Sequence, residues 1–197
     1  MRLKLRPPNC NKFVEALGLK RLAKRLPALQ GRAVGVRFSP DLRASNRKLY
    51  SERPHGQPVY AASFIRKRKI VLDQELQRHH GNLSRILVHE LFHFVWVRVG
   101  NPVRRSYLEL LKKERRERAR GELGWSAELR KGRLAKPARA PVRARQWRDY
   151  ACESFCDTAA WLYSGLGRHP EFKLAARHRK RRAEWFRATF SSRSIPI

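Results

Sequence analysis

Hydrophobic positions along the first third of the chain recur with two different periods. Residues 11–25 place apolar side chains among basic ones at near-helical spacing before Pro27, which predicts a first amphipathic helix. Residues 33–38 are apolar and end at Ser39–Pro40, a pattern typical of a short strand, and residues 40–58 are predicted to be loop.

A second pair of apolar runs follows. Residues 59–65 and 69–72 flank the basic turn Arg66–Arg68, an arrangement that predicts a β-hairpin. Together with the strand at 33–38, the hairpin predicts a small, mostly antiparallel sheet of about three strands in the N-terminal half.

The longest apolar segment is predicted to be a buried helix. Residues 86–97 are apolar on every side except for two histidines and one glutamate, which is typical of a helix in the middle of a domain. Asn82 or Ser84 is expected to cap its beginning, and Gly100–Pro102 to end it.

The rest of the chain is predicted to be mainly helical. Its expected parts are a charged, exposed helix at 104–120, a basic loop-rich stretch with one short helix at 121–148, a helix at 147–164 and a basic helix from about 170 to 190. We therefore expect one domain spanning 1–197, of the α+β class, in which the small sheet packs on the buried helix, the C-terminal half is helical and residues 104–146 are a basic insertion.

Composition narrows the class of protein. The chain has 197 residues, of which 42% are hydrophobic, so it can form a core and is not disordered throughout. No apolar run is long enough to span a bilayer, and the three cysteines are too few and odd in number for a disulfide framework. These features favour a cytoplasmic protein without a transmembrane segment.

The charge is strongly basic, with a formal net value of +30. Arginine outnumbers lysine, and guanidinium groups favour phosphate contacts, so nucleic acid or another polyanion is a candidate partner. Basic faces that are merely solvated explain the charge nearly as well. One short window, residues 149–172, is acidic instead, and a bound cation is one reason to keep carboxylates in such a chain.

The buried helix carries an HExxH motif at residues 89–93. His89 and His93 are four residues apart and so project from one face of a helix, where two imidazoles can bind one metal ion. Glu90, beside the first histidine, can reach an activated water molecule without binding the metal. Two unpaired imidazoles and a carboxylate on an otherwise apolar helix are costly to bury, which favours a metal site over coincidence.

A catalytic zinc site needs a third protein ligand, and Glu153 is the preferred candidate. It lies in the acidic window on the predicted helix at 147–164, and Asp157, one turn later, can accept the distal N–H of His89. Other possible ligands are Glu122, Glu128, His169 and His178. Cys152 and Cys156 are also one helical turn apart, although buried thiols are the simpler interpretation.

HExxH followed by ExxxD on a later helix resembles the gluzincin (thermolysin-like) group of zincin metallopeptidases, and the E-x-F-x-D-x-A texture is similar to ImmA/IrrE-type peptidases. The resemblance covers about ten residues. It implies Zn²⁺ bound by His89, His93 and Glu153, with Glu90 as general base and Asp157 orienting His89, and a peptide or protein substrate. A three-histidine site using His169 or His178 would instead resemble the SprT-like proteases.

Two questions stay open at this level. Tyr150, Tyr163, Arg168 and His169 are candidates to stabilise an oxyanion, and the strand at 59–65 is a candidate edge for an extended peptide. The alternative function is a basic nucleic-acid-associated protein in which the metal site is structural or inactive.

Overall fold

A computed structural model describes residues 2–7, 10–46, 48–134, 139–191 and 194–197. Within these ranges the helices are α1 (Cys10–Ala16), α2 (Lys20–Arg25), α3 (His80–Arg98), α4 (Asn101–Arg116), α5 (Trp125–Arg133), α6 (Ala140–Tyr163) and α7 (Ala176–Phe190). The strands are β1 (Arg2–Leu5), β2 (Leu29–Gln30), β3 (Val34–Ser39), β4 (Leu42–Ser45), β5 (Lys48–Ser51), β6 (Gln57–Pro58), β7 (Ala61–Phe64), β8 (Lys69–Asp73) and β9 (Ile195–Pro196). The protein is therefore α+β, with strands mainly in the N-terminal half and helices in the C-terminal half, as predicted.

The largest sheet has four strands in the order β1-β3-β8-β7. β3 and β8 pair in parallel, whereas β1 with β3 and β7 with β8 are antiparallel. The predicted hairpin is confirmed, because β7 and β8 are consecutive and paired across the turn at Arg66–Arg68. The sheet is thus mostly antiparallel, and β7 lies at one of its edges.

The prediction of a loop at residues 40–58 is wrong. β4 pairs with β5 and β6 in a separate three-stranded sheet. These strands have two to four residues each and mostly half-buried side chains, so they lack the alternation that reveals a strand in sequence. β1, which adds a fourth strand to the large sheet, was also missed, because its four residues are too short for a periodic signal.

The predicted first helix is divided into α1 and α2. Gly18 lies between them with a φ of +73°, a left-handed conformation that ends α1 and that glycine adopts without strain. The side-chain pattern continues across the break, since Val14 and Leu22 are both fully buried. Hydrophobic spacing alone therefore did not reveal where the backbone turns.

Helix α3 is buried, as predicted, and contacts both β7 and α6. It begins at His80, so the predicted caps at Asn82 and Ser84 are wrong, and no described side chain caps its N-terminus. Gly100 and Pro102 do not merely end it but start α4, with the proline in the first turn.

The basic stretch after α3 is more ordered and more buried than predicted. One face of α4 is buried at Tyr107, Leu111 and Glu114, because α4 packs on α6 and α7. α5 packs on α6 through Ala127, and α6 begins at residue 140 instead of 147, while α7 begins at 176. Residues 135–138 lie outside the described ranges.

The main hydrophobic core joins the sheet to the helices. It includes Leu5 and Ile70 from the sheet, Phe92 from α3 and Phe155 from α6, all fully buried. Among the described helices, none combines the length and apolar character that crossing a bilayer requires. The core therefore fixes α3 against α6, which carry the predicted metal ligands.

Candidate metal centre

Helix α3 presents the two histidines of the HExxH motif on one face. Nε2 of His89 lies 3.2 Å from Nε2 of His93. The side chains of His89 and His93 are 9% and 20% exposed, so the pair is nearly buried but reachable from solvent. The four-residue spacing thus gives the geometry that the sequence predicted.

Helix α6 brings Glu153 to the same place. Its Oε2 lies 3.4 Å from Nε2 of His89 and 4.0 Å from Nε2 of His93. Ligand atoms about 2.0–2.2 Å from a tetrahedral zinc ion lie roughly 3.3–3.6 Å from one another. Two of the three separations are within about 0.1 Å of that range and the third is slightly longer, so the three predicted ligands are placed to fit one small cation.

Asp157 accounts for the other nitrogen of His89. Its Oδ1 lies 2.7 Å from Nδ1 of His89, and since a carboxylate only accepts, Nδ1 carries the proton. Nε2 of a neutral His89 then presents a lone pair to the carboxylate of Glu153. Two acceptors 3.4 Å apart repel unless a cation lies between them, and that cation is either a metal ion or a second proton on the ring.

The pKa values of His89 and Glu153 are both shifted toward the charged form of the side chain. Burial lowers the pKa of His89, but Asp157 and Glu153 outweigh it and raise this pKa well above its ordinary value. Burial raises the pKa of Glu153, yet the hydrogen bond from His89 and the charges of His93 and His89 bring it to about 2. The carboxylate is therefore ionised at neutral pH and available as a ligand.

Helix α5, from the stretch predicted to be loop-rich, binds the carboxylate oxygen of Asp157 that does not contact His89. The backbone N–H of Ala127 donates to Oδ2 of Asp157 at 3.0 Å. At the same helix N-terminus, the N–H of Trp125 donates to Glu171 at 2.7 Å. Carboxylates are favoured at such a terminus because its first N–H groups have no partner within the helix. The sequence carries no signal of this contact, because a backbone group makes it.

Gly124, just before α5, leaves room for the Asp157 carboxylate. A Cβ at this position would lie 2.2 Å from Cγ of Asp157, and the backbone φ of −174° is open to any residue. Glycine is therefore required at position 124 by the nearby Asp157 carboxylate and not by the backbone conformation.

We expect Gly124→Ala to displace Asp157 and lower the free energy of unfolding by about 1–3 kcal/mol. Any binding of zinc through His89 should weaken by about 10- to 100-fold. Urea unfolding and competition with a chromophoric chelator measure the two effects. Gly132→Ala is the matched control, since a Cβ there meets nothing within 4 Å. Equal behaviour of the two variants would contradict the steric argument.

Glu90 is held by a residue that the sequence did not single out. Oγ of Ser63, in β7, lies 2.6 Å from Oε2 of Glu90 and 3.0 Å from the Glu90 backbone oxygen. The hydroxyl has one proton, and the shorter contact is the one to the carboxylate. Ser63 belongs to no motif in the sequence. Its contact with Glu90 depends on the packing of β7 against α3. Glu90 itself is 8% exposed.

A cavity of about 430 Å³ opens beside His89 and Glu90. Tyr60 and Trp125 flank it with side chains that are 61% and 66% exposed, and Arg85 lines it while paired to Glu171 through two hydrogen bonds of 3.0 and 2.9 Å. The cavity also borders Ala61 at the start of β7. It offers a molecule access to Glu90 along the edge of the sheet.

The other predicted candidates have different partners. Glu122 is fully buried and bound by Arg182, and His169 Nε2 lies 3.1 Å from Asn82 Oδ1. Glu128 and His178 do not belong to either metal-competent group found among the described residues. Of the possible oxyanion donors, Tyr150 donates to Glu122, the ring of Tyr163 stacks on Phe92 and Arg168 is exposed.

The two cysteines of α6 contact the second histidine. Sγ of Cys152 and Sγ of Cys156 each lie 3.5 Å from Nδ1 of His93. The hydrogen bond with Cys156 and the nearby His93 outweigh burial and lower the pKa of Cys152 to about 6. Burial lowers the pKa of His93, but the interaction with Cys152 raises it to about 9.

Comparison with known proteins adds nothing to this picture, because no family model, curated protein or solved structure matches the chain. The residues and their geometry carry the functional argument alone.

Proposed function

We propose that this protein is a zinc-dependent metallopeptidase of the zincin type, with His89, His93 and Glu153 as ligands and Glu90 as general base. The observation that carries the proposal is the approach of Glu153 Oε2, from a separate helix, to within 3.4 Å of His89 Nε2. Glu153 lies 60 positions after His93 in the sequence, and the packing of α3 against α6 brings the two side chains together.

The ligand set suits zinc. Two imidazole nitrogens and one carboxylate oxygen are ligands of catalytic zinc, and three protein ligands leave a fourth position open. When bound, zinc supplies Lewis-acid activation of water and of a substrate carbonyl. Asp157 supports the set by holding the proton of His89 on Nδ1, which would leave Nε2 available to bind the ion.

Glu90 supplies the proton transfers. Its carboxylate lies one residue from a ligand, outside the group of three converging atoms, and Ser63 holds one of its oxygens. Glu90 would accept a proton from the attacking water and donate it to the amine of the departing peptide. The hydrogen bond from Ser63 to Oε2 would limit the rotation of this carboxylate.

We propose an extended peptide as the substrate. β7 is a sheet edge beside α3, and an extended peptide could pair with its outer side. The cavity beside Glu90 lies at the start of this edge, and the exposed rings of Tyr60 and Trp125 can hold an apolar side chain there. The three free cysteines favour a reducing compartment, and we place the protein in the cytoplasm.

The test is zinc loading followed by incubation with a mixture of peptides. We expect the chain to bind one zinc ion at this site, to cleave peptide bonds detectable by mass spectrometry, and to lose cleavage when a chelator removes the metal. Cleavage should return when zinc is restored. A zinc-loaded chain that cleaves no peptide, or cleavage indifferent to the chelator, would contradict the proposal.

One surface favours the alternative, a nucleic-acid-associated protein with an inactive metal site. Arg32, Arg66, Arg68 and Arg98 line an open cavity of about 680 Å³. Such a cluster can bind phosphate, with an affinity that falls as salt rises. Under this alternative, the protein retains DNA at low salt and hydrolyses no peptide.

A further inference from the structure

The thiols of α6 converge on one nitrogen of His93 from the side opposite the candidate zinc ligands. Nε2 of His93 faces His89 and Glu153, while Nδ1 faces Cys152 and Cys156 at 3.5 Å each. The two cysteines are four residues apart, and so they lie one turn apart on the same face of α6. The zincin-type function assigns them no role.

These separations suit a hydrogen bond and also suit ligands around one metal ion. Nδ1 carries at most one proton, so it donates to at most one of the two sulfur atoms. In a tetrahedral site with a nitrogen at about 2.1 Å and a sulfur at about 2.3 Å, those two ligand atoms lie roughly 3.6 Å apart. Both measured N···S distances are close to this value, and the three ligand atoms lie within 4.8 Å of one another.

The site is also accessible. Cys156 is fully buried, but Cys152 is only partly buried, and the His93 side chain is 20% exposed. A cation can therefore approach from the side of Cys152 without unfolding α6. All three cysteines of the chain are free thiols, so neither of these is used in a disulfide.

We propose that Cys152, Cys156 and Nδ1 of His93 form a second metal site, selective for thiophilic cations such as Cd²⁺, Cu⁺ or a second Zn²⁺. Thiolate ligands select these ions over harder ones. The second site shares the ring of His93 with the first, so a cation bound there replaces the Nδ1 proton and any proton that remains on the two sulfur atoms. The proposal stands on the contacts of His93 and does not require the protein to hydrolyse peptides.

Titration with Cd²⁺ under reducing conditions tests the proposal. We expect two Cd²⁺ ions bound per chain at the two sites together, and an ultraviolet thiolate-to-metal charge-transfer band produced by one of them. In the double variant Cys152→Ser with Cys156→Ala, the band should disappear and the number of bound ions should fall by one. Cys152→Ser alone, at a partly exposed position, should weaken the band, and circular dichroism checks that each variant is folded.

Two controls make the result specific. Cys10→Ala removes the third cysteine, which is buried in α1, and should leave the band unchanged. Glu153→Gln should weaken the first site and also leave the band unchanged, so failure of the zincin proposal is distinguishable from failure of this one. A wild-type chain without the band, or a band that survives loss of both Cys152 and Cys156, would overturn the second site.

Discussion

Replacing Glu90 with Gln is expected to lower kcat for peptide hydrolysis by about a thousandfold while leaving zinc bound. General base catalysis contributes roughly 10²- to 10⁴-fold to such reactions. Glutamine has the size of glutamate and keeps an oxygen that can accept the proton of Ser63, so the packing beside α3 should survive. What it loses is the ability to take a proton from water.

The measurement is kcat for a peptide that the zinc-loaded wild-type chain cleaves, together with zinc affinity from chelator competition. Glu75→Gln is the matched control, because the Glu75 side chain is 54% exposed and pairs with Arg78, three residues later, away from the metal centre. Loss of zinc from Glu90→Gln would mean that Glu90 is itself a ligand. Hydrolysis by Glu90→Gln at the wild-type rate would contradict the role of Glu90 as general base. If neither the wild-type protein nor Glu90→Gln hydrolyses peptides but both retain DNA, the alternative function is favoured.

Arg182→Met should lower the free energy of unfolding by about 3–5 kcal/mol, the usual cost of breaking a buried ion pair from one side. Arg182, on α7, is fully buried between two carboxylates that are themselves buried. It donates to Glu114 at 2.6 Å and to Glu122 at 2.8 Å. Removing the guanidinium leaves two buried carboxylates close together, with Lys131 and the Tyr150 hydroxyl still bound to Glu122 but without the cation that joins the two acids.

Arg181→Met is the matched control for this substitution. Arg181 is the preceding residue on the same helix, and it also pairs with a glutamate, Glu117 at 2.7 Å, but at the surface. Solvent screens such a pair, so its loss should change the urea midpoint little. If the two variants unfold at the same urea concentration, the buried network does not stabilise the fold as argued.

The pH dependence of the same network provides a second measurement. Burial raises the pKa of Glu122, but Arg182 outweighs it and the pKa lies below its ordinary value in the folded protein. The stabilisation is therefore present above the pKa of unfolded glutamate, about 4.3, and is lost as pH falls through the folded pKa. In Arg182→Met the lost cation no longer depresses this pKa, so the stability difference between variant and wild type should shrink on acidification.

The sequence predicted those parts of the site that depend on local spacing. The shared face of His89 and His93 follows from helical geometry, and the placing of Asp157 one turn after Glu153 follows in the same way. The choice of Glu153 needed two further observations, the acidic window in a basic chain and the partner carboxylate, Asp157, that the other candidates lack. That these residues hold zinc stays a prediction, while their convergence is a feature of the fold.

What could not be predicted depends on contacts between distant segments. Ser63 meets Glu90 only because β7 lies next to α3, and the amide of Ala127 meets Asp157 only because α5 packs on α6. Neither a backbone N–H nor a single serine in a hairpin has a sequence signature. The direction of the Cys152 and Cys156 thiols, toward the far nitrogen of His93, is likewise a result of tertiary packing.

The strands that were missed have a different cause. β1, β4, β5 and β6 contain two to four residues each, fewer than a period-two pattern needs to stand out from a loop. The hairpin of β7 and β8 was predicted because its apolar runs are longer and are separated by a compact basic turn.

The nine-residue helix α5 binds Asp157 through a backbone N–H, and Asp157 in turn binds His89. The stability of α5 therefore affects the orientation of the His89 imidazole. If the helix melts, Asp157 is free to swing, and the ring of His89 can rotate or change tautomer. Binding of a metal ion by His89 and folding of residues 125–133 into a helix would then be thermodynamically coupled, so that each process favours the other.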